Sequence, residues 1–288
     1  MTLFDGLKVG GRVWNKPPLA FQGNKKNQIK RFCGVLQNLN ITPKTVIIDV
    51  FGGSGLLSHW AKQLYPQNRV IWNDFDNYAE RLAHIDETEA HRRELSELLT
   101  ETMTLAAAEP TKTPRLTPAD DERLRIWIYE KITAGAYVDF LQLSSWFLFS
   151  GRYAKDAAEF LKHWHGWRIP QTPLTSAGYL DGVERSQKDY RELLAEWESV
   201  DDVCYLLDPP YLQTSTECYS QHFRLADFLE CAEYFLAART AVFFCSESSD
   251  APEFFAWLEK KRGSAGFKVI RGCLSVSKNN TDLMYYKG

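Results

Sequence analysis

The sequence predicts an α/β fold, a doubly wound parallel sheet with a long, mainly helical region inserted into it. Three observations carry that prediction. Short β-branched apolar runs alternate with stretches of helical periodicity near both ends of the 288-residue chain, as strands do when they alternate with helices. A glycine-rich turn stands where the first apolar run meets the first helix. Between the second and third apolar runs, residues 73–202 far exceed the roughly 2–6 residues that usually join strand to helix, so that span must hold a subdomain. The expected organisation is a sheet domain from 1–85 and 181–288, with 86–180 inserted.

Each element has its own reason. Residues 46–50, Val-Ile-Ile-Asp-Val, are the β-branched run of a strand buried on both faces. Leu56, Leu57, Trp60, Ala61 and Leu64 follow at spacings that place them on one helix face. Residues 69–72, 203–207, 241–245, 267–271 and 283–286 read as further strands, and 225–238 and 252–261 as helices. Residues 80–130 are rich in Glu, Arg, Leu and Ala, the composition of solvated helix, and include the Pro- and Thr-rich stretch 109–118. The apolar run 140–149 is broken by Gln142, Ser144 and Ser145, and is shorter than the roughly 20 residues that span a bilayer.

With 44% apolar and 14% aromatic residues, a chain of this size buries roughly three-quarters of the surface it exposes when unfolded. Disordered, collagenous and disulfide-scaffold classes are thereby excluded. Cys33, Cys204, Cys218, Cys231, Cys245 and Cys273 form no Cys-x-x-Cys pair, which points to a reducing compartment. The N-terminus lacks the basic and then apolar pattern of a signal peptide, so a soluble, cytoplasmic protein is expected. The formal charge of −3 by itself argues against a nucleic-acid binder, whose surface is usually basic. Its distribution argues otherwise: residues 1–44 hold eight basic side chains and one acid, a net of +7, which leaves −10 for the rest. Such a segment is either a solubilising arm or an edge that faces phosphates.

Three motifs carry chemistry. Asp49-Val50-Phe51-Gly52-Gly53-Ser54-Gly55 makes a strand-to-helix turn whose glycines admit a ligand close to backbone N–H groups, with a helix N-terminus behind them. It lacks the G-x-G-x-x-G spacing of a dinucleotide site and the Gly-Lys-Ser/Thr ending of a P-loop. Asn73-Asp74-Phe75-Asp76 puts an acid at the end of the second strand, about 20 residues on, where a carboxylate can accept both hydroxyls of a ribose. Of its two acids, Asp76 suits a helix N-cap and Asp74 the ligand. Asp208-Pro209-Pro210-Tyr211 follows an apolar strand, and two prolines hold Asp208 and the Pro209 carbonyl at the carboxyl edge of the sheet, where α/β folds bind ligands.

Together these motifs resemble the amino-methyltransferases that use S-adenosylmethionine, and among them the DNA adenine methylase family. The resemblance implies a Rossmann-like methyltransferase sheet whose inserted helical region recognises the target. It makes Asp49, Phe51, Gly52, Gly53, Ser54 and Gly55 the methionine-binding motif, Asp74 the ribose-binding acid, and Asp208, Pro209, Pro210 and Tyr211 the catalytic tetrapeptide. Phe21-Gln22-Gly23-Asn24-Lys25 is similar to the family's N-terminal motif and implies that Phe21 and Lys25 lie near the cofactor. Gln22, Asn24 and Val50 depart from the family pattern. Residues 186–193 resemble its short Asp-aromatic segment, which implies that Asp189 and Tyr190 flank the cofactor adenine. The motif order matches the α arrangement, and aspartate at position 208 favours adenine over cytosine as the acceptor.

The resemblance implies double-stranded DNA as the partner and no requirement for a metal. The insertion interleaves Arg152, Lys155, Lys162, His163, His165 and Arg168 with Tyr153, Phe160, Trp164 and Trp167, the mixture found on nucleic-acid surfaces. Trp164 and Trp167 are expected in the insertion's own core. Arg152, Arg168 and Lys26 are the candidate DNA contacts. Methylation of RNA or of a protein amide poses the same geometric problem to the tetrapeptide, and an idle subunit that keeps the fold is the rival from another class. The three motifs together argue against the idle subunit.

Overall fold

The computed structural model describes residues 13–100, 115–149, 152–163, 165–166, 168–211, 223–262, 266–273 and 281–288. Among them the strands are β1 (Val46–Asp49), β2 (Val70–Asn73), β3 (Glu184–Ser186), β4 (Val203–Leu207), β5 (Thr240–Ser246), β6 (Lys268–Cys273) and β7 (Thr281–Lys287). The helices among them are α1 (Ile29–Gln37), α2 (Leu56–Leu64), α3 (Tyr78–Ala83), α4 (Ile85–Leu98), α5 (Pro118–Thr133), α6 (Phe140–Phe147), α7 (Ala157–Phe160), α8 (Tyr190–Trp197), α9 (Leu225–Ala237) and α10 (Ala251–Arg262).

The strands form one sheet in the order β3-β2-β1-β4-β5-β7-β6. From β3 to β5 all pairings are parallel, as the apolar runs predict. β7 is antiparallel to both β5 and β6, which corrects the expectation of a wholly parallel sheet. The reason is chain length: residues 274–280 link β6 to β7, and a parallel return needs a crossover of about a dozen residues or more. β3 was not expected from the sequence either. Its Glu184-Arg185-Ser186 carries no apolar signal, because it is an edge strand, and Arg69 on the neighbouring chain segment grips Glu184 with two hydrogen bonds of 2.7 Å.

The chain divides into two compact units. The first comprises Met1–Pro17, Gly23–Tyr78 and Gly178–Gly288 and holds the sheet. β4 and β5 are buried along their whole length, and the rings of Phe228, Phe235, Phe243 and Phe255 pack edge to face at centroid distances of 5.5–6.2 Å, a favoured aromatic geometry. In this arrangement β1 and β4 are neighbours with crossovers leading away on either side. Their carboxyl ends therefore form the switch point at which open α/β sheets bind ligands.

The second unit comprises Pro18–Gln22 and Ala79–Ala177. Its core packs Leu95, Leu124, Ile128, Leu143, Trp146, Phe147 and Phe160 from α4, α5, α6 and α7. Thr117 caps α5 by accepting from the Asp120 amide, with Pro118 at the first position, and Asp139 caps α6 through the Gln142 amide, as helix starts require. Residues 18–22 join this unit because the Ala20 amide donates to Gln142 at 2.6 Å and the Ala20 carbonyl accepts from Arg81 at 2.8 Å. Trp164 and Trp167 lie outside the described residues. Among the described residues no helix is long and apolar enough to cross a membrane.

Candidate active site

The site grows from the carboxyl end of β1. Past Asp49 the chain passes through Gly53 (φ 47°) and Gly55 (φ 77°), both in the left-handed region that favours glycine. A side chain at Gly55 would also meet Leu180 at 2.9 Å, so this glycine has a packing reason besides its backbone conformation. Asp49 is fully buried; its Oδ2 accepts from Ser58 at 2.7 Å, and its Oδ1 has no hydrogen-bond partner among the described residues. Burial pushes its carboxyl up to about 7, with the Asp208 charge adding to the rise and Ser58 and Lys25 opposing it.

The turn is held from behind. Tyr179, fully buried, donates its hydroxyl to the Ser54 carbonyl at 2.9 Å. The His59 ring stacks on Tyr179 at 5.2 Å. His59 Nε2 accepts from the Trp14 amide at 3.2 Å, so its Nδ1 is the donor to the Tyr179 carbonyl. Burial lowers the His59 pKa, which keeps the ring in that neutral form. Neither Tyr179 nor His59 carried any motif signal, because a strut of this kind is an ordinary aromatic until the fold brings it under the turn.

At the end of β4 stands Asp208. Its Oδ2 lies 2.5 Å from the Lys25 ammonium, both side chains being largely buried. Lys25 also donates to the Gly23 carbonyl at 3.0 Å and lies 5.2 Å from the centre of the Tyr211 ring. Asp208 Oδ1 has no hydrogen-bond partner among the described residues. Burial raises the Asp208 pKa and Lys25 opposes the rise. One turn on from Lys25, Gln28 donates to Asp282 at 2.5 Å. The Lys25–Asp208 pair and the Gln28–Asp282 pair both escape a motif reading, since their members lie far apart in sequence.

Asp74 stands at the end of β2. It is fully buried, and one of its oxygens accepts the Tyr78 amide at the start of α3, at 2.5 Å. Its second oxygen accepts from Arg185 on β3 at 2.9 Å. Asp76 is exposed. Between the strand end and α3 the chain turns at Asn77 (φ 57°). Asp189 caps α8 by accepting from the Arg191 amide at 2.9 Å. The Tyr190 ring lies 5.1 Å from Phe51 of the glycine motif, and Phe223 closes on Phe51 at 6.0 Å. The fold thus joins motif residues 51 and 190 into one aromatic group.

Of the candidate DNA contacts, Lys26 is exposed in the first unit. Arg152 and Arg168 are exposed in the second, where Arg152 meets His163 at 3.2 Å and Arg168 lies over the Phe149 ring at 5.5 Å. Phe21 belongs to the second unit. His165 is buried between the Asp121 carboxylate, at 2.6 Å, and the Phe160 carbonyl, at 3.1 Å, a structural position. Among the described residues no group of three or more His, Cys, Asp or Glu could hold a metal ion.

A family profile described as D12 class N6 adenine-specific DNA methyltransferase matches residues 21–238. The chain belongs to that family. A protein of Haemophilus influenzae, named as a candidate methyltransferase, is 36% identical over 291 aligned positions, 96% of this chain and 93% of the relative. The mixed seven-strand sheet is consistent with the S-adenosylmethionine-dependent methyltransferase fold of the D12 class. In this D12-class chain the matched segment takes in the glycine turn, Asp74, Asp189, Tyr190 and the tetrapeptide, while Asp282 lies beyond its end.

Proposed function

We propose that this D12-class enzyme transfers the methyl group of S-adenosylmethionine to the N6 amino group of adenine in double-stranded DNA, on a base turned out of the helix. The observation that carries the proposal is Asp208 Oδ1, a buried carboxylate oxygen without a hydrogen-bond partner among the described residues, at the end of β4. An exocyclic amine fits it. Adenine N6 is a weak nucleophile because its lone pair is delocalised into the ring. Donation of its two N–H groups to Asp208 and to the Pro209 carbonyl draws the nitrogen toward tetrahedral geometry and stabilises the positive charge that grows on it. The N–C bond then forms, and one N6 proton leaves to water. The amine is out of reach inside a duplex, so the base must leave the stack, and the Tyr211 ring beside Asp208 offers the face on which it stacks.

The residues present also suit the cofactor. The buried, unpartnered Asp49 Oδ1 is an acceptor for its ammonium group, and the N-terminus of α2 favours its carboxylate. Phe51 and Tyr190 supply aromatic faces for a sulfonium or an adenine. Asp74, with the 41% exposed Arg185 side chain as its partner, forms the ribose end. When bound, S-adenosylmethionine supplies an activated methyl group whose sulfonium sulfur keeps the electron pair of the broken C–S bond. Lys26, Arg152 and Arg168 are assigned to DNA phosphates or bases, and the compartment is the cytoplasm.

Incubation with labelled S-adenosylmethionine, mixed DNA, RNA and protein, followed by nucleoside analysis, tests the reading. Label in N6-methyladenine of DNA is expected; label in RNA or protein alone overturns it. Asp208→Ala should lower the rate by on the order of 10²- to 10⁴-fold with cofactor binding kept.

A further inference from the structure

A buried carboxylate on β7 lies in the same cluster as the tetrapeptide although it falls outside the matched family segment. Because β7 runs antiparallel to β5, its beginning reaches the sheet edge at which β1 and β4 finish. Asp282 there pairs in register with Ser246, the last residue of β5. The residue is 2% exposed. Its Oδ2 accepts from Gln28 at 2.5 Å, and its Oδ1 has no hydrogen-bond partner among the described residues. The Tyr211 hydroxyl and the Lys25 charge favour its ionised form, and the Asp208 charge opposes it. Lys25 pairs directly with Asp208, and its charge also favours the ionised forms of the buried Asp49 and Asp282.

One ammonium cannot satisfy all three. If the acceptor amine donates to Asp208, as the reading above holds, it brings a growing positive charge to the carboxylate that Lys25 already occupies. The two cations then sit on the two oxygens of one buried carboxylate and repel each other, and a further negative charge close to Lys25 offsets that repulsion. We propose that Asp282 is a positioning residue for methyl transfer, which with Gln28 orients Tyr211 and keeps a second negative charge beside Lys25 when the acceptor amine engages Asp208. The inference rests on the adenine-methylation reading.

Asp282→Asn, Lys25→Met and the double variant test it in the full-length protein, with kcat, KM for DNA, cofactor Kd and melting temperature measured for each. D282N is expected to lower kcat by on the order of 10- to 100-fold while cofactor Kd stays unchanged, and to add nothing further in the K25M background. A kcat equal to wild type, or losses that add in full, overturns the proposal. The pH profile supplies a readout that loss of packing would not move. Facing Lys25, Asp208, Tyr211, Gln28 and Cys245, Asp282 has its carboxyl raised by burial to about 6, so wild-type kcat should fall as acidification passes that value and D282N should lack this limb. If D282N does not fold, Gln28→Leu takes its place. Loss of the hydrogen bond that favours ionised Asp282 should move the limb to higher pH, and an unmoved limb overturns the proposal. A wild type that methylates no DNA overturns the adenine reading and this inference together; an active wild type with an indifferent D282N overturns this inference alone.

Discussion

Asp49→Asn isolates the electrostatic cost of the glycine turn. Burial takes the Asp49 carboxyl from 3.8 to about 7. Each tenfold change in proton affinity is worth about 1.4 kcal/mol, so the ionised side chain costs the fold up to about 4 kcal/mol at pH 8. The folded carboxyl binds its proton more tightly than the unfolded one. Its contribution to stability is therefore fully present below pH 3.8 and is lost as the pH rises to about 7. At pH 5 the remaining cost is about 2 kcal/mol. Asparagine keeps the oxygen that Ser58 donates to but places an amide N–H₂ where Oδ1 has no partner, which costs about 1–3 kcal/mol. The difference is a net gain of about 1–3 kcal/mol at pH 8 and about zero at pH 5. Thermal unfolding without cofactor should show D49N melting several degrees above wild type at pH 8, at roughly 2–4 °C per kcal/mol, and level with it at pH 5. Calorimetry should show the stabilised variant binding S-adenosylmethionine more weakly. A melting shift of the same size at both pH values, or a lower melting point at pH 8, would refute the account of Asp49 as a charge carried for its ligand.

Tyr179→Phe removes the hydroxyl that holds the Ser54 carbonyl; a loss of about 1 kcal/mol in unfolding free energy is expected, with a higher cofactor Kd by calorimetry. Lys25→Met removes the charge that opposes the rise of the Asp208 and Asp282 pKa values, so the acid side of the pH–rate profile should move to higher pH, and an acid side that stays in place would show that Lys25 acts on neither carboxylate. Arg168→Ala, if Arg168 neutralises a phosphate, should reduce the slope of log K against log salt by about 1 in a DNA-binding titration, while an unchanged slope removes Arg168 from the interface.

Much of the fold was legible in the sequence because parallel strands buried on both faces are written as unbroken apolar runs. Apart from the half-buried Val46, residues 46–50, 203–207 and 241–245 have no solvent-facing positions to dilute the signal. β3 was illegible for the opposite reason: an edge strand is fixed by its neighbour and needs no apolar residue of its own. The reversal of β7 depended on the short 274–280 link, which composition does not reveal. Within the site, the motif residues could be found because each lies in a run of fewer than ten positions whose chemistry is local, such as a tight turn or a proline-stiffened strand end.

What the sequence by itself determined is the set of chemical groups at the carboxyl ends of β1 and β4: the glycine turn after Asp49 and the tetrapeptide at Asp208. Only the tertiary structure decided their electrical state. Lys25 and Asp282 stand 183 and 74 positions from Asp208, and Tyr179 stands 125 from the Ser54 carbonyl it holds. The same holds for Asp74, whose partner Arg185 lies 111 positions away. Charge interactions and burial depend on distance in space and on the exclusion of water, and a linear spacing encodes neither until the sheet has closed.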